Sequence, residues 1–217
     1  MIEQNVRRIL SQLPGGVKLV AAAKTRTTEE TLEAIAAGVE IIGHNYIQEA
    51  ERAYQIIGGR ARWHFIGHLQ KNKIKKAVVL FDMIETVDSL EMAREIDIRC
   101  ARIGKVMPVL IEVNSGGETR KNGVLPEGVE GLVRQVSAMK HVKVEGLMTM
   151  GPFVLQSEDS RPYFAATRRL FEEIKTLNLP HVDMRYLSMG MSNSYKIALE
   201  EGANIVRLGS LIFGPRA

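Results

Sequence analysis

Lys24 closes a short apolar run, KLVAAAK, just before a helix-forming segment begins. Side chains alternate along a strand, so Val20, Ala22 and Lys24 share one face. If that face points inward, the small Ala22 leaves room above it for the lysine stem. A lysine among apolar neighbours loses hydration and its pKa falls, which makes the neutral amine a nucleophile toward a carbonyl. From this run alone, the favoured reading is the plainer one, a lysine that simply leaves the barrel rim for water.

Two segments near the end of the chain supply the complementary chemistry. In SMGMSNSY, Ser188 to Tyr195, Gly190 permits a tight turn, and Ser192 to Ser194 are placed to cap the helix that follows. Helix N-terminal amides with a serine hydroxyl make an anion cradle. In RLGSLIFG, Arg207 to Gly214, Gly209 allows close backbone approach, while Ser210 adds an amide and a hydroxyl. With Lys24 opposite these loops, a phosphorylated aldehyde would satisfy both ends.

The elements that must position these groups alternate strand and helix. An opening helix runs from about Ile2 to Leu13. The strand VKLVAAA then leads to TTEETLEAIAAG, a helix with a Thr27 to Glu30 capping box and a stop at Gly38. The rhythm repeats through EIIGHN, ARWHFIGH, MIETV, VMPVLIEVN, VKVEGLMTM, MRYLSM and NIVRLG, each but the last followed by a helical pattern. Strands separated by such helices imply right-handed βαβ units and a parallel sheet. Eight units close as a single compact (β/α)₈ TIM barrel with an extra N-terminal helix, shorter than the usual ~250 residues. An open doubly wound sheet is the competitor, weakened because no GxGxxG follows the first strand. In a barrel, functional groups come from strand C-terminal ends, and phosphate sites from the loops after strands seven and eight.

The 217 residues are expected to form one domain, 1–217. A formal net charge of +4 suits an anionic ligand but is too small to imply nucleic acid. One cysteine, Cys100, excludes an internal disulfide and argues against a thiolate metal site; it is expected in a helix, in or near the core. No apolar run approaches the roughly 20 residues of a membrane span. The expectation is a cytoplasmic protein, monomeric, with no metal.

Seven segments, LVAAAKTRT, IGHNYIQEA, WHFIGHLQKNK, VNSGGETRKNGV, GLMTMG, LSMGMSNSY and VRLGSLIFG, come in the order found in the pyridoxal phosphate homeostasis protein family. The chain resembles that family from about Val17 to Gly214. The resemblance implies a barrel like the N-terminal domain of alanine racemase that binds pyridoxal 5′-phosphate (PLP). It also implies a role in vitamin B6 and amino-acid balance without established turnover, and PLP-dependent client enzymes as partners. Carried over residue by residue, Lys24 would form the Schiff base. Ser192, the amide near Met191, Gly209 and Ser210 would hold the phosphate. Arg207 would face the pyridine nitrogen, Asn45 would lie near the phenolic oxygen, and Met148 would pack on the ring. One departure is His44, where relatives usually carry an acidic residue. It is expected to face solvent, the alternative being a polar substitute.

An arginine cannot accept a proton, so Arg207 would keep the ring nitrogen neutral and the electron sink weak. That disfavours catalysis by quinonoid stabilisation and leaves no residue assigned as catalytic. A PLP-dependent amino-acid racemase is the alternative. The remaining motifs carry plainer expectations. His64 and His68 flank the mouth, with His64 near the cofactor and neither ligating metal. Lys71, Lys73, Lys75 and Lys76 form a solvated helix face, or else an anion or partner surface. Glu118, Arg120 and Lys121 lie in a polar loop on the mouth side.

Overall fold

Eight strands form a closed parallel barrel in sequence order: β1 (Lys18–Ala22), β2 (Ile41–His44), β3 (Arg62–Phe65), β4 (Met83–Val87), β5 (Met107–Glu112), β6 (Val142–Met148), β7 (Val182–Ser188) and β8 (Ile205–Leu208). This is a computed structural model, which describes residues 1–119, 121–152 and 155–215. Arg120, expected on the mouth side, lies outside the described residues.

Alternation along each strand divides the apolar residues between two cores. Leu19, Ala21 and Ala23 of the first strand segment join the core shared with the helices. Val20 instead joins Ile41, Ile66, Met83, Leu110, Met148 and Ile205 inside the barrel, with Ala22 packed against them. Strands covered on both faces by helix and by barrel interior read as continuous apolar runs.

The surrounding helices are α1 (Ile2–Gln12), α2 (Thr28–Ala36), α3 (Ile47–Ile57), α4 (Ile74–Leu80), α5 (Leu90–Ala101), α6 (Pro126–Val136), α7 (Arg161–Thr176), α8 (Tyr195–Glu200) and the single turn α9 (Ser210–Phe213). Because α9 is so short, α1 fills the outer ring beside it. Ile2, Val6 and Ile9, on one helical face, are buried, and Asn5 Nδ2 donates to the Ile212 carbonyl at 3.0 Å. The expected capping box on α2 is present: Glu30 N donates to Thr27 Oγ1 at 3.1 Å, and Thr27 N to Glu30 Oε2 at 2.8 Å. It fixes the far end of the turn that carries Lys24. Among the described residues no helix is long and apolar enough to cross a membrane.

Two expectations are corrected. Lys24 does not stand opposite the closing loops. β1 is hydrogen-bonded to β8 with Ala21 beside Leu208, so the lysine turn and the β8 loop are neighbours on the rim. Nor do Ser192 to Ser194 cap α8 with their side chains. The helix begins at Tyr195, and its N-cap residue Ser194 makes no capping hydrogen bond. Its hydroxyl turns back to accept from Met191 N at 3.3 Å.

Candidate functional site

Lys24 lies in the turn after β1, half-buried, with Nζ 5.1 Å from the centre of the Tyr46 ring. That distance is within cation–π range, and the aromatic face holds the amine without an anion to neutralise it. The next residue, Thr25, has φ of 63°, a left-handed conformation that costs a β-branched residue about 1–3 kcal/mol. Its N–H donates to Glu49 Oε2 on α3 at 3.3 Å. The capping box on one side and Glu49 on the other therefore fix the backbone on which Lys24 stands. Asn45, just past β2, is half-buried and its Nδ2 lies 3.5 Å from the Ile66 carbonyl.

The loops after β7 and β8 meet at a single hydroxyl. Ser192 Oγ accepts from Gly209 N and from Leu211 N, both at 3.4 Å. These are long contacts, so two amides converge on a weakly bonding neutral oxygen, where an anion would gain charge-assisted hydrogen bonds. Gly209 packs closely on β1: a Cβ there would come within 3.3 Å of the Ala22 carbonyl, a tight contact. Gly190 is required by both conformation and space, having φ of +89° and no room for a Cβ against Ala198. Met191 and Ser210 are exposed at the edge of this cradle.

Below the rim the interior is polar. Arg207, 4% exposed, donates from Nη1 to Ser188 Oγ at 2.5 Å and from Nη2 to the Thr149 carbonyl at 2.9 Å. Ser188 donates to Glu85 Oε2 at 2.6 Å, and the other Glu85 oxygen lies 2.6 Å from His64 Nδ1. Burial pushes the Glu85 carboxyl up, but the His64 hydrogen bond, the His64 and Arg207 charges and the Ser188 hydroxyl bring it below its ordinary value. Burial lowers Arg207, opposed by Glu85 and Glu112. Glu112, at the end of β5 and also buried, is pushed up to about 7 by burial and by the Asp88 charge, with Arg207 acting against them. Met148 is fully buried in the barrel interior beneath the mouth.

The sequence reading missed Glu85 and Glu112. Both were absorbed into strands, MIETV and VMPVLIEVN, that otherwise read as apolar. The available signal was a carboxylate on the inward face of a strand buried on both sides, a position such residues occupy only when paired or functional.

His44 overturns its expectation. It is 2% exposed and stacked on Trp63, with ring centroids 5.5 Å apart and planes 11° from parallel. Gly43 faces into the barrel against Val20 and Ile66, so alternation turns His44 outward, into the helix layer rather than into water. Burial pushes it down to about 4, and neither ring nitrogen has a partner among the described residues. His64 lies inside the barrel on Glu85, whereas His68 is exposed on the β3–α4 loop. Among the described residues no three His, Cys, Asp or Glu side chains gather in a metal-ligating group. Cys100 is buried on α5, and burial pushes its thiol up to about 11. Glu118 and Lys121 form an ion pair in the loop after β5, which Asn114 anchors through the Glu118 backbone.

All 217 residues match the family model described as alanine racemase, N-terminal domain. The pyridoxal phosphate homeostasis protein of Aquifex aeolicus is 41% identical over 203 residues, 92% of this chain and 87% of that protein. The structure of PipY from Synechococcus elongatus PCC7942 with PLP bound is 31% identical. It superposes with a TM-score of 0.91 over 99% of this chain and 100% of that one. Alanine racemase from Corynebacterium glutamicum, at 20% identity, shares the barrel. Its TM-score is 0.81 over 99% of this chain and 61% of that enzyme.

Proposed function

The chain belongs to the pyridoxal phosphate homeostasis protein family, built on the alanine racemase N-terminal-domain fold, and from that premise we propose that it binds PLP as a reversible Schiff base on Lys24. In this reading residues 1–217 act as a single PLP-binding barrel domain. The protein works in the cytoplasm as a monomer, maintains PLP and amino-acid balance, and supplies PLP-dependent client enzymes without turnover of its own.

The residues present fit the cofactor. The Gly209 and Leu211 amides that converge on Ser192 Oγ form a cradle, and it would take the phosphate with the Met191 amide and Ser210. Asn45 lies at the mouth beside Lys24 for the phenolic oxygen, Met148 beneath it for the ring, and Arg207 below for the pyridine nitrogen. PLP supplies an aldehyde that an amine captures reversibly. Lys24 binds it, the cradle orients it, and Arg207 withholds a proton acceptor from the ring nitrogen. The observation that carries the reading is the adjacency of the Lys24 turn and the Ser192–Gly209 cradle on one stretch of rim, above a buried arginine.

Incubation with PLP should produce the visible absorbance of an imine. Lys24→Ala should abolish it while weak phosphate-anchored binding persists. A colourless wild-type protein would contradict the proposal. Racemase activity is tested by loss of optical rotation from single L-amino acids at a rate above that of free PLP, and the expected result is no excess.

A further inference from the structure

The lysine run that leads into α4 and through its first turn divides into paired and unpaired members. Lys71 pairs with Glu91, and Lys76 with Glu51 at 2.9 Å. Lys75 is exposed. Lys73 is half-buried, and among the described residues no carboxylate lies within ion-pair distance of it. It borders a cavity of about 360 Å³ between the loops after β2 and β3, lined also by Asn45, Tyr46, Gln48, His68 and Gln70. That volume falls in the range of small-molecule sites, roughly 300–1,000 Å³. Its wall combines one ammonium, three amide side chains, an imidazole and the Tyr46 ring, a set of donors suited to a small carboxylate.

The position of this cavity on the rim gives it a use. Three features follow one another round the mouth: the anion cradle on the loops after β7 and β8, Lys24 after β1, and then the cavity after β2 and β3. Tyr46 belongs to both of the last two, since its ring lies under Lys24 Nζ and also lines the cavity. A molecule held by its phosphate in the cradle and by its carbonyl carbon at Lys24 would have this cavity on its far side.

We propose that the cavity bordered by Lys73 is the acceptor site for a free α-amino acid, which Lys73 holds by its carboxylate with its amine directed toward Lys24. The inference rests on the proposed imine at Lys24. The incoming neutral amine nitrogen forms the new C=N bond as the bond to Lys24 Nζ breaks, and its two protons pass to the departing Nζ, which leaves as a free primary amine. Nothing is oxidised or reduced. The cavity thereby couples cofactor release to amino-acid supply.

Two probes that divide alanine into its parts test this. Propanoate carries the carboxylate without the amine, and its binding to the PLP-free protein is followed by NMR titration. Wild type and Lys75→Met should bind it equally, and Lys73→Met at least tenfold more weakly. Ethylamine carries the amine without the carboxylate. On the PLP-loaded protein, imine exchange should saturate with L-alanine, rise linearly with ethylamine, and be inhibited competitively by propanoate. Lys73→Met should make the alanine dependence linear and leave the ethylamine rate unchanged. Propanoate binding that Lys73→Met leaves unaltered, or that Lys75→Met weakens equally, overturns the proposal. So does alanine exchange that is linear in wild type. A protein that never takes up PLP would instead refute the imine at Lys24, and the propanoate arm alone would then decide the carboxylate site.

Discussion

Arg207 and Glu85 lie 4.0 Å apart inside the barrel, and the hydroxyl of Ser188 bridges them by accepting from the guanidinium and donating to the carboxylate. The pair is out of water on all sides: Glu85 is fully buried and Arg207 nearly so. Its geometry sets the charge of the floor on which the mouth rests, with Arg207 held by three strands, β4 and β7 through their side chains and β6 through the carbonyl just past its end.

Breaking that pair from one side leaves a buried charge uncompensated, which costs about 3–5 kcal/mol. Glu85→Gln should therefore destabilise the fold by that order. Ser188→Ala, which removes only the bridge, should cost about 1–3 kcal/mol. Chemical denaturation of the two variants at pH 7 checks the ranking. Equal stability of Glu85→Gln and wild type would mean that the pair does not constrain the barrel.

The pH dependence of stability should carry two opposing slopes. His44 falls from an ordinary value near 6.5 to about 4 on folding, so the unfolded chain binds its proton more readily. Its contribution is full above about 6.5 and is lost as pH drops toward 4, a difference of about 3 kcal/mol. Glu112 rises to about 7, so the folded state keeps the proton. That contribution is full below about 4.5 and is lost as pH climbs to 7, again about 3 kcal/mol. In wild type the two largely cancel between about 4.5 and 6.5. His44→Phe should then lose stability as pH rises through that window, and Glu112→Gln should gain it. Denaturation midpoints at pH 4.5, 5.5 and 6.5 read both signs.

The cradle should tolerate subtraction better than addition. Ser192→Ala removes the oxygen on which two amides converge, and PLP affinity should fall about tenfold, close to the ~1.4 kcal/mol of one charge-assisted hydrogen bond. Gly209→Ala introduces a Cβ within 3.3 Å of the Ala22 carbonyl. It should displace the loop and weaken PLP further while the thermal midpoint moves little. Spectroscopic titration and a melting curve separate the two effects.

Much of this architecture was legible in the sequence. The eight strand segments appear where the apolar runs placed them, and the Thr27 to Glu30 capping box starts α2 as its spacing required. Boundaries shifted where loops borrow strand-like residues: ARWHFIGH reads as one strand, yet pairing ends at Phe65 because the chain must turn at Gly67 against Asn45. The rim order was less accessible, since only closure makes β1 and β8 neighbours and sets Lys24 beside the cradle. The buried polar floor was hidden for a different reason. Glu85, Glu112 and His64 sit singly in apolar strands, and only the fold brings them toward one arginine. His44 was readable in principle, because placing Asn45 at the mouth turns its predecessor toward the helices.

Borohydride reduction of the PLP-incubated protein, followed by peptide mass mapping, tests the central claim most directly. The mass of reduced PLP is expected on the peptide containing Lys24 and on no other lysine. An adduct on Lys73, Lys121 or any lysine away from the β1 turn, with Lys24 unmodified, would contradict it.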